Sequence, residues 1–167
     1  MIPIESVLPI FEAIDGADLS PRTFATVCTT SGWEEPVNDG IGLWEASHAT
    51  DGTMLVLDTV TKPTTLFCRL DARDDYEPEA LRDGPLRLTF DAHFVHSLER
   101  LRARFPRSLA QGTYGSPYNW RFAHFQGLNS LVALEQTYYD PIMGVQLVLL
   151  LQPLPSELPR LPITAAW

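Results

Sequence analysis

His93, His96 and Glu99 recur at three-residue spacing within a helical pattern, which sets two imidazoles and a carboxylate close together along one helix. Those donors suit a divalent metal, yet helix-borne zinc pairs space their histidines at four and need a further ligand, here His124 or His48 brought in by folding. The spacing favours histidines on a polar helix face, and neither a metal nor any other cofactor is expected. A second group lies in DARDDYEPEALRD, where Asp71, Asp74, Asp75, Glu77, Glu79 and Asp83 surround Tyr76. Read as a calcium-binding loop it fails: Arg73 occupies the third ligand position, Tyr76 replaces the turn glycine, and Arg82 stands where the bidentate carboxylate belongs. A divalent site of looser geometry stays open.

Nucleophilic catalysis finds no anchor in the chain. There is no GxSxG, no GK[ST], and no GxGxxG between a strand and a helix. Cys28 and Cys68 lie in apolar patterns without neighbouring cations to depress their pKa, and read as small core residues in a reducing compartment. No catalytic residue is assigned; an acid–base pair built on His93, His96 or His124 is the enzyme alternative.

Charge carries more information. Residues 1–83 hold sixteen of the 21 carboxylates and five of the 12 cations, a balance of −11, whereas residues 84–167 hold five and seven, a balance of +2. Such a field repels nucleic acid and anionic membrane and steers encounter with a basic protein. The partner-contact candidates are Asp71, Asp74, Asp75, Glu77 and Glu79 for steering and Tyr76 as a buried anchor, with Trp44, Glu34 and Glu35 as secondary positions. A second aromatic group supplies the alternative anchors Tyr114, Tyr118 and Tyr139, with Phe122 and Phe125 assigned to the core. Strict alternation would put Tyr118, Trp120, Phe122 and His124 on one strand face.

The elements that must position these residues follow from periodicity. With 167 residues, 45% of them hydrophobic, the chain suits one domain over 1–152 and a proline-rich tail over 153–167. The start has no basic, apolar leader pattern, and the run Val145 to Leu151 is far shorter than the ~20 residues of a bilayer span, so a soluble, cytoplasmic protein is expected. Helices are predicted over 7–14, over 21–31 behind a Ser20-Pro21 start signal, and from Thr89 or Asp91 to Phe105. Strands are predicted over 41–48, 53–60, 64–70, 118–125, 131–138 and 145–151, the first two joined by a primed turn at Asp51-Gly52. Residues 71–85 and 110–117 read as loops, and the unbroken apolarity of 145–151 makes that strand central. The fold class is α+β: one antiparallel sheet of about six strands, as two three-strand meanders, with helices on one side. Its expected core includes Phe24, Val27, Leu55, Leu57, Leu66, Phe94, Leu98, Leu101, Leu147 and Leu149. In the tail, Pro159 and Pro162 with Arg160 match a PxxP spacing, read here as a strap across the domain.

Four features together carry a resemblance: helix 21–31 ending in Ser31-Gly32-Trp33, the meander over 41–70, helix 89–105, and the turn Gly115-Ser116-Pro117-Tyr118-Asn119-Trp120 leading into more strands. At the level of topology this layout resembles the small acidic immunity proteins that neutralise polymorphic or type VI secreted toxins. Type III secretion chaperones are the second choice, because they end in a helix where this chain has a strand and a proline tail. The resemblance implies a protein-binding module whose partner is a basic secreted toxin or effector. An exposed edge strand also leaves a homodimer open.

Overall fold

The computed structural model describes residues 1–73, 84–115, 118–138 and 145–155. A single 3₁₀ turn at Ile4–Ser6 leads into helix α1 (Leu8–Asp15), which buries Leu8, Ile10, Phe11 and Ile14. Helix α2 (Pro21–Thr30) starts as its sequence directs: the Ser20 hydroxyl accepts from the Thr23 N–H at 3.2 Å, and Pro21 takes the first helical position, where a missing N–H costs nothing.

Four strands follow, β1 (Val37–Asn38), β2 (Leu43–Ser47), β3 (Met54–Asp58) and β4 (Thr65–Arg73), then helix α3 (Pro85–Arg104). Four more complete the chain: β5 (Arg107–Thr113), β6 (Arg121–Gln126), β7 (Ser130–Tyr138) and β8 (Val145–Pro153). All eight form one antiparallel sheet in the order β1-β2-β3-β4-β8-β7-β6-β5, so each half of the chain contributes a four-strand meander. The strand after α3's successors that reads as central, β8, does lie mid-sheet between β4 and β7.

The α+β class and the antiparallel sheet agree with the sequence reading, while the sheet has eight strands instead of about six. The two unforeseen ones are its edges. β1 is only two residues long, and β5 (RSLAQGT) is built from residues of low β propensity, so neither shows a strand pattern. Helix α3 begins at Pro85, earlier than Thr89, because Gly84 adopts φ +98° as N-cap and the proline that reads as a breaker is preorganised for the first helical turn. At Asp51-Gly52 only Gly52 has positive φ, so the β2–β3 connection is not a primed two-residue turn; the His48 N–H donates to the Thr53 carbonyl across it.

One face of the sheet packs against the helices. Leu55, Leu57, Leu66, Cys68, Leu147, Leu149 and Leu151 meet Phe11, Phe24, Phe90, Phe94, Leu98 and Leu101 in a single buried cluster. Every expected core residue is in it except Val27, which is partly buried against it. A buried carboxylate ties the first helix to the far meander: Asp15, at the end of α1, accepts from the Leu128 and Asn129 N–H groups and from the Ser130 hydroxyl, at 2.6, 3.0 and 2.6 Å. Gly127 is required beside it, since a Cβ there would lie 2.5 Å from the Asp15 oxygens.

Two stability outcomes follow. Leu98→Ala should lower the unfolding free energy by about 2–5 kcal/mol, through lost transfer energy and the cavity left behind, whereas exposed Arg102→Ala should cost little. Asp15→Ala, which strands three donors at the β6–β7 turn, should cost about 2–4 kcal/mol and exceed Glu12→Ala severalfold. Urea melts of the four variants check both orderings.

Candidate functional site

The anionic half of the chain is laid out along one end of the sheet. From Glu34 to Thr61 the sequence has six carboxylates, Glu34, Glu35, Asp39, Glu45, Asp51 and Asp58, and no lysine or arginine. That segment is the β1–β2–β3 end, with β1 as its free edge. Glu34, Glu35, Asp39 and Glu45 are exposed there. So are three large apolar side chains, Val37 at 69%, Ile41 at 74% and Val60 at 56%. The turns are stiffened by their own carboxylates: Asp39 accepts from the Ile41, Gly42 and Leu43 N–H groups, and Asp58 from the Val60 and Thr61 N–H groups and the Thr61 hydroxyl. At Asp58 desolvation pushes the pKa up, but these hydrogen bonds to the charged form outweigh it and hold the group below its ordinary 3.8.

The second feature is on the sheet face opposite the helices. Phe67, Leu150, Ala133 and His124 stand side by side across β4, β8, β7 and β6. With Leu43, Leu131 and Val148 they line a cavity of about 470 Å³, bounded at one end by Asp58, Lys62 and Pro63. At the other end His124 Nε2 lies 2.7 Å from Glu135 Oε1, and both side chains are buried. Tyr114 stacks on Phe122 at 4.7 Å, and burial, with the Glu135 carboxylate beside it, pushes its phenol well above the ordinary range.

Of the sequence-derived partner residues, Asp74, Asp75, Tyr76, Glu77 and Glu79 lie outside the described residues, as does Tyr139. Asp71 is a correction to its reading as a steering carboxylate: it is 4% exposed, facing His93 Nδ1 at 3.5 Å. A register shift between Arg69 and Asp71 explains this, because the bulge turns Asp71 onto the helix side of the sheet. Glu34 and Glu35 are exposed, and Trp44 is partly buried against the core, paired with Asn38 of the edge strand and with Leu57.

His93 and His96 are separated by the fold. His93 is buried beside Asp71, whereas His96 sits at the surface 3.3 Å from Glu5, and among the described residues no group of three His, Cys, Asp or Glu side chains is arranged to hold a metal. Cys28 and Cys68 are buried free thiols, and desolvation pushes each up to about 12. No described helix is long and apolar enough to cross a membrane.

The aromatic residues divide differently from strict alternation. Asn119 takes φ +50° and resets the pattern before β6 begins at Arg121, so Trp120 packs on Phe90 in the helix-side core while His124 lines the cavity and Phe122 packs between His124 and Tyr114. Tyr118 stacks on Trp120, Arg87 lies over the same indole at 4.9 Å, and the Arg87 guanidinium donates to the Tyr118 and Asn119 carbonyls. The sequence places His124 among the histidines that could meet a carboxylate, and the structure identifies that carboxylate as Glu135. The two are eleven residues apart on neighbouring strands that carry other polar residues as well, so nothing local in the sequence singles out Glu135 as the partner. Comparison with protein-family models, curated proteins and solved structures finds no match to this chain.

The depressed Asp58 pKa fixes a sign. A carboxyl held low in the folded state stabilises above its unfolded value and loses that contribution as the pH falls through the folded value. Asp58→Asn should therefore be less stable than the parent at pH 7, and the difference should close as the pH drops below 3.8, in urea midpoints taken across that range.

Proposed function

We propose that this chain is an acidic protein-binding module that docks its β1–β3 end on the basic surface of a cognate secreted toxin and neutralises it, as the immunity proteins it resembles do. The observation that carries this reading is the exposed end of the sheet itself: six carboxylates against one cation, Lys62 in the β3–β4 turn, on a surface that also exposes Val37, Ile41 and Val60. Carboxylates at the rim accelerate encounter with a basic protein, and desolvated apolar side chains at the centre slow its departure. Glu34 and Glu35 belong to this surface, and the loop residues Asp74, Asp75, Tyr76, Glu77 and Glu79, outside the described residues, stay partner-contact candidates from the sequence. Charge of this sign disfavours nucleic acid and anionic membrane as partners. A secretion chaperone would use the same surface on an effector, and differs in leaving its bound partner's active site free.

The test is association kinetics with the purified toxin encoded beside this chain, at two salt concentrations, together with the toxin's activity. The triple variant Glu34→Gln/Glu35→Gln/Glu45→Gln should lower the on-rate about tenfold at low salt and flatten its salt dependence, with the off-rate little changed. Asp74→Asn/Asp75→Asn/Glu77→Gln should act in the same direction, while Tyr76→Ala and Ile41→Ala should raise the off-rate. An unchanged on-rate and salt slope in both triple variants refutes the reading. A toxin that is bound yet fully active favours the chaperone role.

A further inference from the structure

We propose that the tail of this chain, from Glu157 to Trp167, docks in extended form along the cavity on the helix-free face of the sheet and covers it. The lining runs from Leu131 to Thr137 on β7 and from Gln146 to Gln152 on β8, which at about 3.4 Å per residue makes the cavity about 20 Å long along the strands. Its chemistry is mixed. The apolar side chains of Phe67, Ala133, Val148 and Leu150 form the middle, with the Gln152 and Gln146 amides toward the two ends of the β8 stretch. Lys62 and Asp58 stand at the Gln152 end, where Gln152 Nε2 donates to Thr65 Oγ1 at 3.0 Å, and Glu135 lies further along β7. Hydrocarbon, amide donors and charges of both signs are what an extended polypeptide needs from a groove.

Strand β8 delivers such a segment to the margin of the cavity. Two residues past Gln152, the Leu154 N–H donates to the Asn129 carbonyl at 3.1 Å, and the chain continues from there into SELPRLPITAAW. In a polyproline conformation, which Pro159 and Pro162 favour, the stretch from Ser156 to Trp167 reaches about 37 Å, enough to turn back and run the length of the cavity. Three residues per turn put Leu158, Leu161 and Trp167 on one face, with Glu157 and Arg160 together on the next. The order of charge matches the groove. Glu157 comes first, at the Lys62 end, where Asp58 is already occupied by donors from Val60 and Thr61. Arg160 follows about 9 Å further along, toward Glu135. Prolines lack an N–H, so the segment presents mainly carbonyls, and the glutamine amides supply donors for them. Tethering makes weak contacts sufficient, since a short linker holds the tail at an effective concentration in the millimolar range.

Docking of the tail needs no partner protein, so the full chain alone is the sample. A nitroxide placed on Ala166→Cys labels the tail selectively, because Cys28 and Cys68 are buried thiols pushed up to about 12. The amide resonances of Thr137 and Gln146, at the end of the cavity far from Leu154, should lose most of their intensity and regain it when the label is reduced. Those of Val95 and Glu99, exposed on α3, should keep theirs. Leu158→Asp/Leu161→Asp in the same labelled chain should restore Thr137 and Gln146; both changes lie in the tail and leave the helix-side core untouched. Unbroadened Thr137 and Gln146 overturn the proposal, as does equal broadening on α3, which marks a tail sweeping the whole surface. A loss that survives the double substitution overturns it too. So does one that appears only at high protein concentration, which marks docking between copies.

Discussion

The pairing of β4 with β8 is the contact on which the rest of this structure depends. The first half of the chain supplies α1 and α2 and the second half α3, each followed by a four-strand meander, and either meander alone would have one face of apolar side chains and two open edges. Joining the last strand of each half, in register from Leu66 opposite Leu151 to Arg73 opposite Val145, converts two marginal sheets into one of eight strands. Because the register is fixed, Leu66 and Cys68 of one half fall on the same face as Leu147, Leu149 and Leu151 of the other, and a single helix layer covers both. The same register decides the opposite face, where Phe67 meets Leu150 and the cavity begins.

Polar groups inside this frame serve to fix geometry. Asp15 holds the β6–β7 turn to the first helix, and Asp71 meets His93 between β4 and α3. Asp91 on α3 gathers Arg87, Arg121 and the Gln136 amide, while the Gln136 carbonyl oxygen accepts from the Arg121 N–H. The buried Asp15 carboxylate has three donors, which is the condition under which buried charge is tolerated. The exposed carboxylates of the β1–β3 end are different in kind. Asp39, Asp51 and Asp58 accept from neighbouring turn N–H groups, while Glu34 and Glu35 are exposed just before the edge strand β1 and Glu45 is exposed on β2 opposite Val37.

The molecule therefore presents two surfaces of unlike chemistry. The sheet end combines charge with exposed apolar side chains, the pairing that protein recognition uses. The opposite face holds a cavity in which Leu43, Phe67, Leu131, Ala133, Val148 and Leu150 are interspersed with polar side chains, among them Lys62, Gln146, Gln152 and the His124–Glu135 pair. Neither has any part in the helix-side core, so changes at either surface can be separated experimentally from changes in stability.

The sequence by itself determined the elements whose signals are local. The Ser20-Pro21 start of α2, the stripe from Phe90 to Phe105 in α3, and the unalternating β8 were all legible, because caps, 3.6-residue periodicity and continuous apolarity are set by neighbours a few residues away. The lopsided charge was legible too, being a property of composition. What only the tertiary structure decided is which distant residues meet and which face each one takes. The edge strands β1 and β5 exist because a partner strand supplies hydrogen bonds that their own residues do not call for. Asp71 reads as one more acid in an acidic run, and becomes a core group because the register shift between Arg69 and Asp71 turns it inward. His124 stands out in the chain as one of four histidines but Glu135 does not, and the two form a buried pair because β6 and β7 align them diagonally on the cavity face. Local patterns fix local conformation; side-chain encounters across a sheet depend on register, which is settled by the whole packed core at once.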